Sequence, residues 1–457
     1  QFKYYIFLNG GEMEKRKKKS ISMTEGNIVK SLLLFSIPLI LGNLLQQTYN
    51  TVDSIIVGNY VGSSALAAVG SSTALINLLI GFSQGISVGA GVIVSHSIGA
   101  KDNKKIELSV HTAMMLSILF GTFLSIVGFI FTPQLLEWMK TPIEVMPESI
   151  TYLRLFFLGT VFNIVYNMEA GILNAVGNSK RSLLYLGVAS VTNIILDIIF
   201  VKILGMGVSG VAIATNISQF ISCILALRFL VKVSDNYRVY LNKIKVHKET
   251  AIKIVKIGLP TGIQSMVVSL SNVLIQSSVN TFGASVMAGF GAYLKVDGFN
   301  ILPVLSLGMA STTFTGQNYG AGKKDRVKKG LWITIAMGVI YTTIIGILLF
   351  IFSQSIMQLF TQDEKIIDAG IKAMKYFCPF YALLAILHSL VGAVRGTGKT
   401  MPPMIILLFS MCIFRIIWLH FILPMNNTID NIYVLYPISW GIGVILMGIY
   451  LWKAKWL

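Results

Sequence analysis

Gly171-Ile-Leu-Asn-Ala-Val-Gly177 and Gly392-Ala-Val-Arg-Gly-Thr-Gly398 decide the architecture of this chain. The two stretches start 221 residues apart, and the same offset recurs elsewhere. Phe131-Thr132 with Leu135-Leu136 is matched by Phe352-Ser353 with Ile356-Met357. Gly99-Ala100 is matched by Gly320-Ala321, and Asn216-Ile217-Ser218 by Pro437-Ile438-Ser439. Pro38 finds its partner in Pro260, with one residue of slip. An offset held over most of a half-chain implies duplication of a single unit.

That unit belongs in a bilayer. Hydrophobic residues make up 54% of the chain and charged residues 12%, with a mean hydropathy of +0.73. A soluble domain carries about twice that charged fraction. Apolar runs of about 20 residues, the length that crosses the hydrocarbon core, recur throughout. Breaks between them give twelve helical spans, at about 30–58, 65–97, 108–131, 149–174, 182–203, 208–231, 251–282, 285–317, 329–352, 368–394, 401–423 and 432–452. The fold class is therefore all-α integral membrane, with six spans in each repeat.

Charge placement sets the orientation. The net charge of +18 is concentrated in alternate loops. One set holds Lys15 to Lys19, Lys101, Lys104, Lys105, Lys180, Arg181, a basic stretch at 232–250, Lys323 to Lys329, Lys399 and Lys453. The other set holds Lys140, Lys202 and Lys365 among several acids. The positive-inside rule puts the first set, and both termini, in the cytoplasm. The same placement argues against nucleic acid as a partner, since no basic face carries aromatics suited to base stacking. Cys223, Cys378 and Cys412 lie in apolar runs and read as core residues rather than as a disulfide framework.

The domain reading follows: a cytoplasmic tail at 1–24, an N-lobe at 25–231, a cytoplasmic linker at 232–250 and a C-lobe at 251–457. Residues 1–12 match nothing later and read as a leader or vector-derived segment, with Met13 or Met23 as the start. Six spans is an even number, so both lobes run the same way through the membrane. They should be related by a pseudo-two-fold along the membrane normal, with a cavity between them.

Ionisable residues inside spans are costly and are usually kept for function. They are Asp53, Glu169 and Asp197 in the first half and Lys295, Asp297 and Arg415 in the second. Asn193 and Asp197 are four apart and share a helix face. Counting about 1.5 Å per residue from the nearest loop puts Asp53, Asp197 and Thr215 at one depth. Two carboxylates, an amide and a hydroxyl at one level suit Na⁺ or a shared proton. Lys295 and Asp297, two apart on one helix, cannot pair locally. His96, His111, His388 and His420 read as satisfied core histidines. Gly396-Thr-Gly-Lys-Thr400 looks like the end of a P-loop, but the glycine that motif needs five residues before Gly398 is Ala393, so it reads as a tight turn. No ATP-binding partner or enzyme chemistry is implied; an intramembrane polyprenyl transferase would need an Asp-rich Mg²⁺ motif, and none is present.

Several stretches resemble the multidrug and toxic compound extrusion (MATE) family. They are Ile37-Pro-Leu-Ile with Gln46 and Val52-Asp-Ser-Ile-Ile-Val-Gly58; Val94-Ser-His-Ser-Ile-Gly-Ala100; Leu173 to Arg181; Asn193-Ile-Ile-Leu-Asp197; Gly258-Leu-Pro260; and Gly316-Gln-Asn-Tyr-Gly-Ala321. The resemblance implies antiport of organic cations against Na⁺ or H⁺ by a monomer in the bacterial cytoplasmic membrane. It assigns Asp53, Asn193, Asp197 and Thr215 to a coupling-cation network, as in the DinF-like branch. It assigns Gln46 to the substrate cavity, for which Asn50, Asn163, Asn167, Gln264, Lys295 and Asp297 are further candidates. The acids that the NorM-like branch carries on spans 7 and 10 are missing: Val268 stands near the first position, and no acid lies between Tyr376 and Val391. A flippase for lipid-linked or polysaccharide precursors is the alternative; few intramembrane Lys or Arg argue against it.

Overall fold

In a computed structural model, residues 21–454 and 456–457 are described. The expectation of a leader over 1–12 lies outside them. The described residues form twelve long helices: α1 Ile28–Tyr60, α2 Ser63–Gly99, α3 Asn103–Trp138, α4 Met146–Ala175, α5 Ser179–Asp197, α6 Gly207–Lys232, α7 Lys248–Asn280, α8 Ala284–Gly320, α9 Lys324–Ile351, α10 Glu364–Gly396, α11 Met401–Met425 and α12 Ile429–Lys453. No strand occurs among the described residues. Eleven of these helices are long and apolar enough to cross a membrane. The remaining one, α8, is equally long, but Lys295, Asp297 and a tail rich in Gly, Ser, Thr and Asn lower its hydropathy.

Local chemistry sets the ends. Asn27 and Asp102 accept from the amides of Lys30 and Lys105 and so cap α1 and α3. Gly177 and Gly398, repeat partners, take φ of +82° and +87° in the turns after α4 and α10, a conformation open to glycine. The Gly396–Thr400 stretch is such a turn between two spans. Three of the described helices depart from α geometry: α5 continues as a π-helical turn at Ile198–Ile203, α10 passes through a 3-10 turn at Cys378–Phe380, and α11 contains π-helical turns at Phe409–Ile413 and Trp418–Ile422.

The duplication is visible in the packing. In the N-lobe α2 packs on α4, α3 on α4, α1 on α5 and α4 on α6; in the C-lobe α8 packs on α10, α9 on α10, α7 on α11 and α10 on α12. Even single contacts repeat. A Cβ on Gly171 would meet the Ser87 carbonyl oxygen at 3.0 Å, and one on Gly392, its partner, the Gly308 carbonyl oxygen at 2.3 Å. Each lobe has its own apolar core, around Val110, Ile172 and Leu230 in one and Phe290, Phe377 and Tyr433 in the other. Large apolar side chains on the outer faces of α3 (Phe123, Ile126, Ile130) and α9 (Ile340, Ile344, Ile347) stay exposed. With lipid as solvent these faces are buried, and no further protein layer is required.

The lobes meet through α2 with α7, α1 with α8, and α2 with α8. Contact is tight toward the face that carries the basic loops: a Cβ on Gly85 would lie 2.2 Å from the Gly262 nitrogen, and one on Gly89 2.5 Å from the Ile254 oxygen. Toward the opposite face, Gly70 and its repeat partner Gly291 have nothing within 4 Å. The tight backbone approach of the lobes thus lies toward the basic face. The linker after α6 is no free tether. It lies on α3, with the Tyr240 amide donating to His111 Nε2 at 2.9 Å, Lys243 Nζ to Glu107 at 2.8 Å, and Val239 fully buried.

Candidate cation site and cavity

In the N-lobe, α1 and α5 bring Asp53 and Asp197 together. Their carboxyl groups lie close enough to act on each other. Asp197 is the last α-helical residue before the π-helical turn, and that wider turn carries the helix past the pair toward α6. Asp197 is 0% and Asn193 1% exposed. Apart from the neighbouring carboxyl groups, Asp53 Oδ1, both Asp197 oxygens and both polar atoms of Asn193 have no hydrogen-bond partner among the described residues. Tyr49 and Tyr152 are buried beside the pair, with Gln46 and Gln219 next to the Tyr49 hydroxyl. An apolar cluster of Ile56, Val57, Val201, Val208 and Val211 closes the site at its outer end. Thr215 is half-buried on α6.

A cluster of buried oxygens without donors is rare in a folded protein and calls for a ligand, a proton or water. Two close carboxylates also repel unless a positive charge lies between them. Among the described residues no three His, Cys, Asp or Glu side chains converge on a point. The donor set of two carboxylates and one amide oxygen therefore fits a monovalent cation or a proton better than a multivalent metal.

The remaining candidates divide. Asn163 and Asn167 bond each other, Nδ2 to Oδ1 at 2.9 Å. Asn50 is exposed and Gln46 half-buried on α1. Gln264 accepts from Arg395 Nη2 at 3.4 Å, an arginine inside α10 that the sequence reading passed over because it sits in the repeat motif. Lys295 is exposed, and neither it nor Asp297 takes part in an ion pair among the described residues. Asp297 instead accepts from the Tyr381 hydroxyl at 2.7 Å, and the Tyr381 and Tyr293 hydroxyls are 2.9 Å apart. These tyrosines were also missed, although Tyr293 lies one turn before Asp297 on the same helix face. Arg415 is 2% exposed and bonds Ser439 Oγ at 3.0 Å and Asn272 Oδ1 at 3.2 Å, with its guanidinium 4.5 Å from the Tyr436 ring. It clamps α7, α11 and α12. Glu169 is fully buried, with no partner for either oxygen among the described residues.

The MatE family profile matches residues 38–199 and 260–419, one copy in each lobe. The chain belongs to the MATE family. It is 30% identical over 401 residues to the probable multidrug resistance protein YpnP of Bacillus subtilis, covering 87% of this chain and 89% of that protein. It is 25% identical to the probable multidrug resistance protein NorM of Thermotoga maritima over 85% of this chain and 84% of the relative. Against the multidrug export protein MepA of Staphylococcus aureus the identity is 24%, over 81% and 82%. Among solved structures, one described as the outward-facing conformation of a multidrug resistance MATE family transporter superposes with a TM-score of 0.88 at 24% identity, over 96% of this chain and 97% of the other. A transporter of the wider MOP superfamily from Pyrococcus furiosus superposes with a TM-score of 0.87 over 96% of this chain and all of the other. MATE proteins are transporters and not enzymes. The two profile matches cover Asp53 and Asp197 in one copy and Asp297 and Arg415 in the other.

Proposed function

We propose that this MATE transporter exports organic cations in exchange for Na⁺ or H⁺, with the ion bound at Asp53 and Asp197 and the basic face in the cytoplasm. The observation that carries the reading is the pair of neighbouring carboxyl groups whose remaining oxygens, with those of Asn193, have no donor. Binding of a cation or proton neutralises the pair and permits α1 and α5 to draw together. Losing the ion restores the repulsion. The ion and the drug act by favouring different arrangements of the lobes, so they need not touch. Pro38, which leaves α1 short of one backbone bond, is the natural point for that helix to bend. Coupling then runs through the N-lobe, in the manner of the DinF-like branch. Drug efflux is supported by the names of the relatives.

The test is uptake of tetraphenylphosphonium into proteoliposomes under separately imposed Na⁺ and pH gradients. Uptake driven by one gradient and lost in Asp53→Asn is the expected result. Gradient-independent movement of a lipid-linked sugar, with no transport of the organic cation, would establish the flippase alternative.

A further inference from the structure

The last turns of α2, α4, α8 and α10 meet at the basic face, and there the lobes exchange hydrogen bonds. His96 Nε2–H, in the N-lobe, donates to the Gly396 carbonyl of the C-lobe at 2.7 Å. Gln317 Nε2, in the C-lobe, donates to the Ala175 carbonyl of the N-lobe at 2.7 Å. His96 and Gln317 are repeat partners, and so are Ala175 and Gly396, at the same offset of 221. Each lobe therefore holds the end of the other's central helix, with a donor placed at the negative end of a helix dipole. The backbones touch at this level: a Cβ on Gly99 would lie 1.9 Å from the Gln317 carbonyl oxygen, and one on Gly320 2.2 Å from that of His96.

A second layer lies over the first. The Ile21 amide donates to the Gly177 carbonyl of the N-lobe at 3.2 Å. Two residues later the chain is held by the C-lobe. The Met23 amide donates to Gln317 Oε1 at 3.2 Å, and the Met23 carbonyl accepts from Asn318 Nδ2 at 2.9 Å. Lys323 Nζ bonds the Thr24 carbonyl at 2.8 Å, and Arg326 donates to the carbonyls of Glu25 and Gly26, each at 2.9 Å. The Met23 side chain is fully buried in an apolar cluster with Phe35 of α1 and Ala310 and Phe314 of α8. Gln317 takes part in both layers, with its amide nitrogen in one and its oxygen in the other.

We infer that His96, Gln317 and the strap formed by residues 21–26 are a two-layer latch that sets how often the basic face opens. The inference rests on the alternating-access reading above. If the lobes part at this face in the other state, the His96–Gly396 and Gln317–Ala175 bonds must break and the strap must release one lobe, while the bonds within each lobe can persist. These residues position the lobes and touch neither ion nor drug. A neutral hydrogen bond makes a modest net contribution, so each one tunes the balance between two states without fixing it.

The experiment is a distance measurement between spin labels at Lys104→Cys and Lys324→Cys, two exposed positions on opposite lobes at the basic face. Cys223, Cys378 and Cys412 are replaced by alanine in the background. Full-length protein in nanodiscs is measured with and without each ion gradient's ligand, alongside transport in liposomes. His96→Ala, Gln317→Ala and Arg326→Ala should each raise the long-distance population roughly three- to tenfold, the range expected for losing one to two net hydrogen bonds. His96→Gln should restore the wild-type ratio, because its repeat partner is a glutamine performing the same task. A role confined to stability would lower the melting temperature of these variants without moving the ratio. Arg326, partly exposed, carries the test if the buried changes impair folding. Two populations in the wild type with an unchanged ratio in all three variants would overturn the latch alone. One unvarying distance in the wild type under every condition would overturn the alternating-access reading, and the latch with it.

Discussion

Where the N-lobe holds Asp53 and Asp197, the C-lobe holds Ile275, with the one-residue slip that also relates Pro38 to Pro260, and Trp418, 221 positions further on. Conversely, Asp297 and Arg415 of the C-lobe correspond to Ile76 and Ile194 of the N-lobe. Helix adjacencies agree between the lobes, so the scaffold does not dictate where its polar groups go. What differs is satisfaction. Asp297 has a tyrosine hydroxyl, and Arg415 a serine, an asparagine and an aromatic face. The N-lobe acids are left with unmet oxygens. A satisfied buried network fixes a structure, and an unsatisfied one waits for a partner. On this difference rests the proposed assignment of the ion to the N-lobe.

The comparison is tested most severely by removing the N-lobe charges. Asp53→Asn and Asp197→Asn should each reduce coupled export roughly a hundredfold, the scale of losing one member of a buried charged site. The double variant should be little worse than either, since the two acids act on one ion. Drug efflux from cells, normalised to surface expression, with ion binding to purified protein, is the measurement. Wild-type efflux and ion affinity in Asp53→Asn would remove the N-lobe from the mechanism.

Arg415→Met should lie at the other pole. It deletes hydrogen bonds from a buried cation to neutral acceptors, at a cost of about 2 kcal/mol in stability, and leaves transport per folded molecule near wild type. Thermal unfolding in detergent together with liposome transport separates the two effects. A collapse of transport with unchanged stability would make the C-lobe a working site. A smaller effect is expected for Tyr381→Phe, which strips Asp297 of its hydroxyl donor and should cost about 1 kcal/mol with at most a few-fold change in export. The smallest belongs to Lys243→Ala on the linker. Its ion pair with Glu107 is exposed, so neither the melting curve nor efflux should move measurably.

Much of this was legible in the chain. The 221-residue offset and the apolar runs carried the span count, the paired lobes and the turn glycines, because duplication and bilayer thickness act on sequence directly. Asp53, Asp197 and Asn193 could be found because a charge inside a span is conspicuous and a spacing of four shares a face. Partners supplied by other helices could not. Tyr381 reaches Asp297 across 84 positions of sequence and Gln264 reaches Arg395 across 131. His96 resembled any core histidine until the end of α10 was placed beside it.

The π-helical turn after Asp197 has a counterpart, Trp418–Ile422, at the matching place in the second copy to within one residue. The duplication thus extends to a departure from α geometry: the backbone widens at the same place in both copies, whereas the turn at Phe409–Ile413 is matched by plain α-helix in the first copy. Beside these matching turns the two copies carry different residues: Asp197 is the last α-helical residue before one, and Trp418, whose Nε1 donates to the Asn431 carbonyl at 3.0 Å, opens the other.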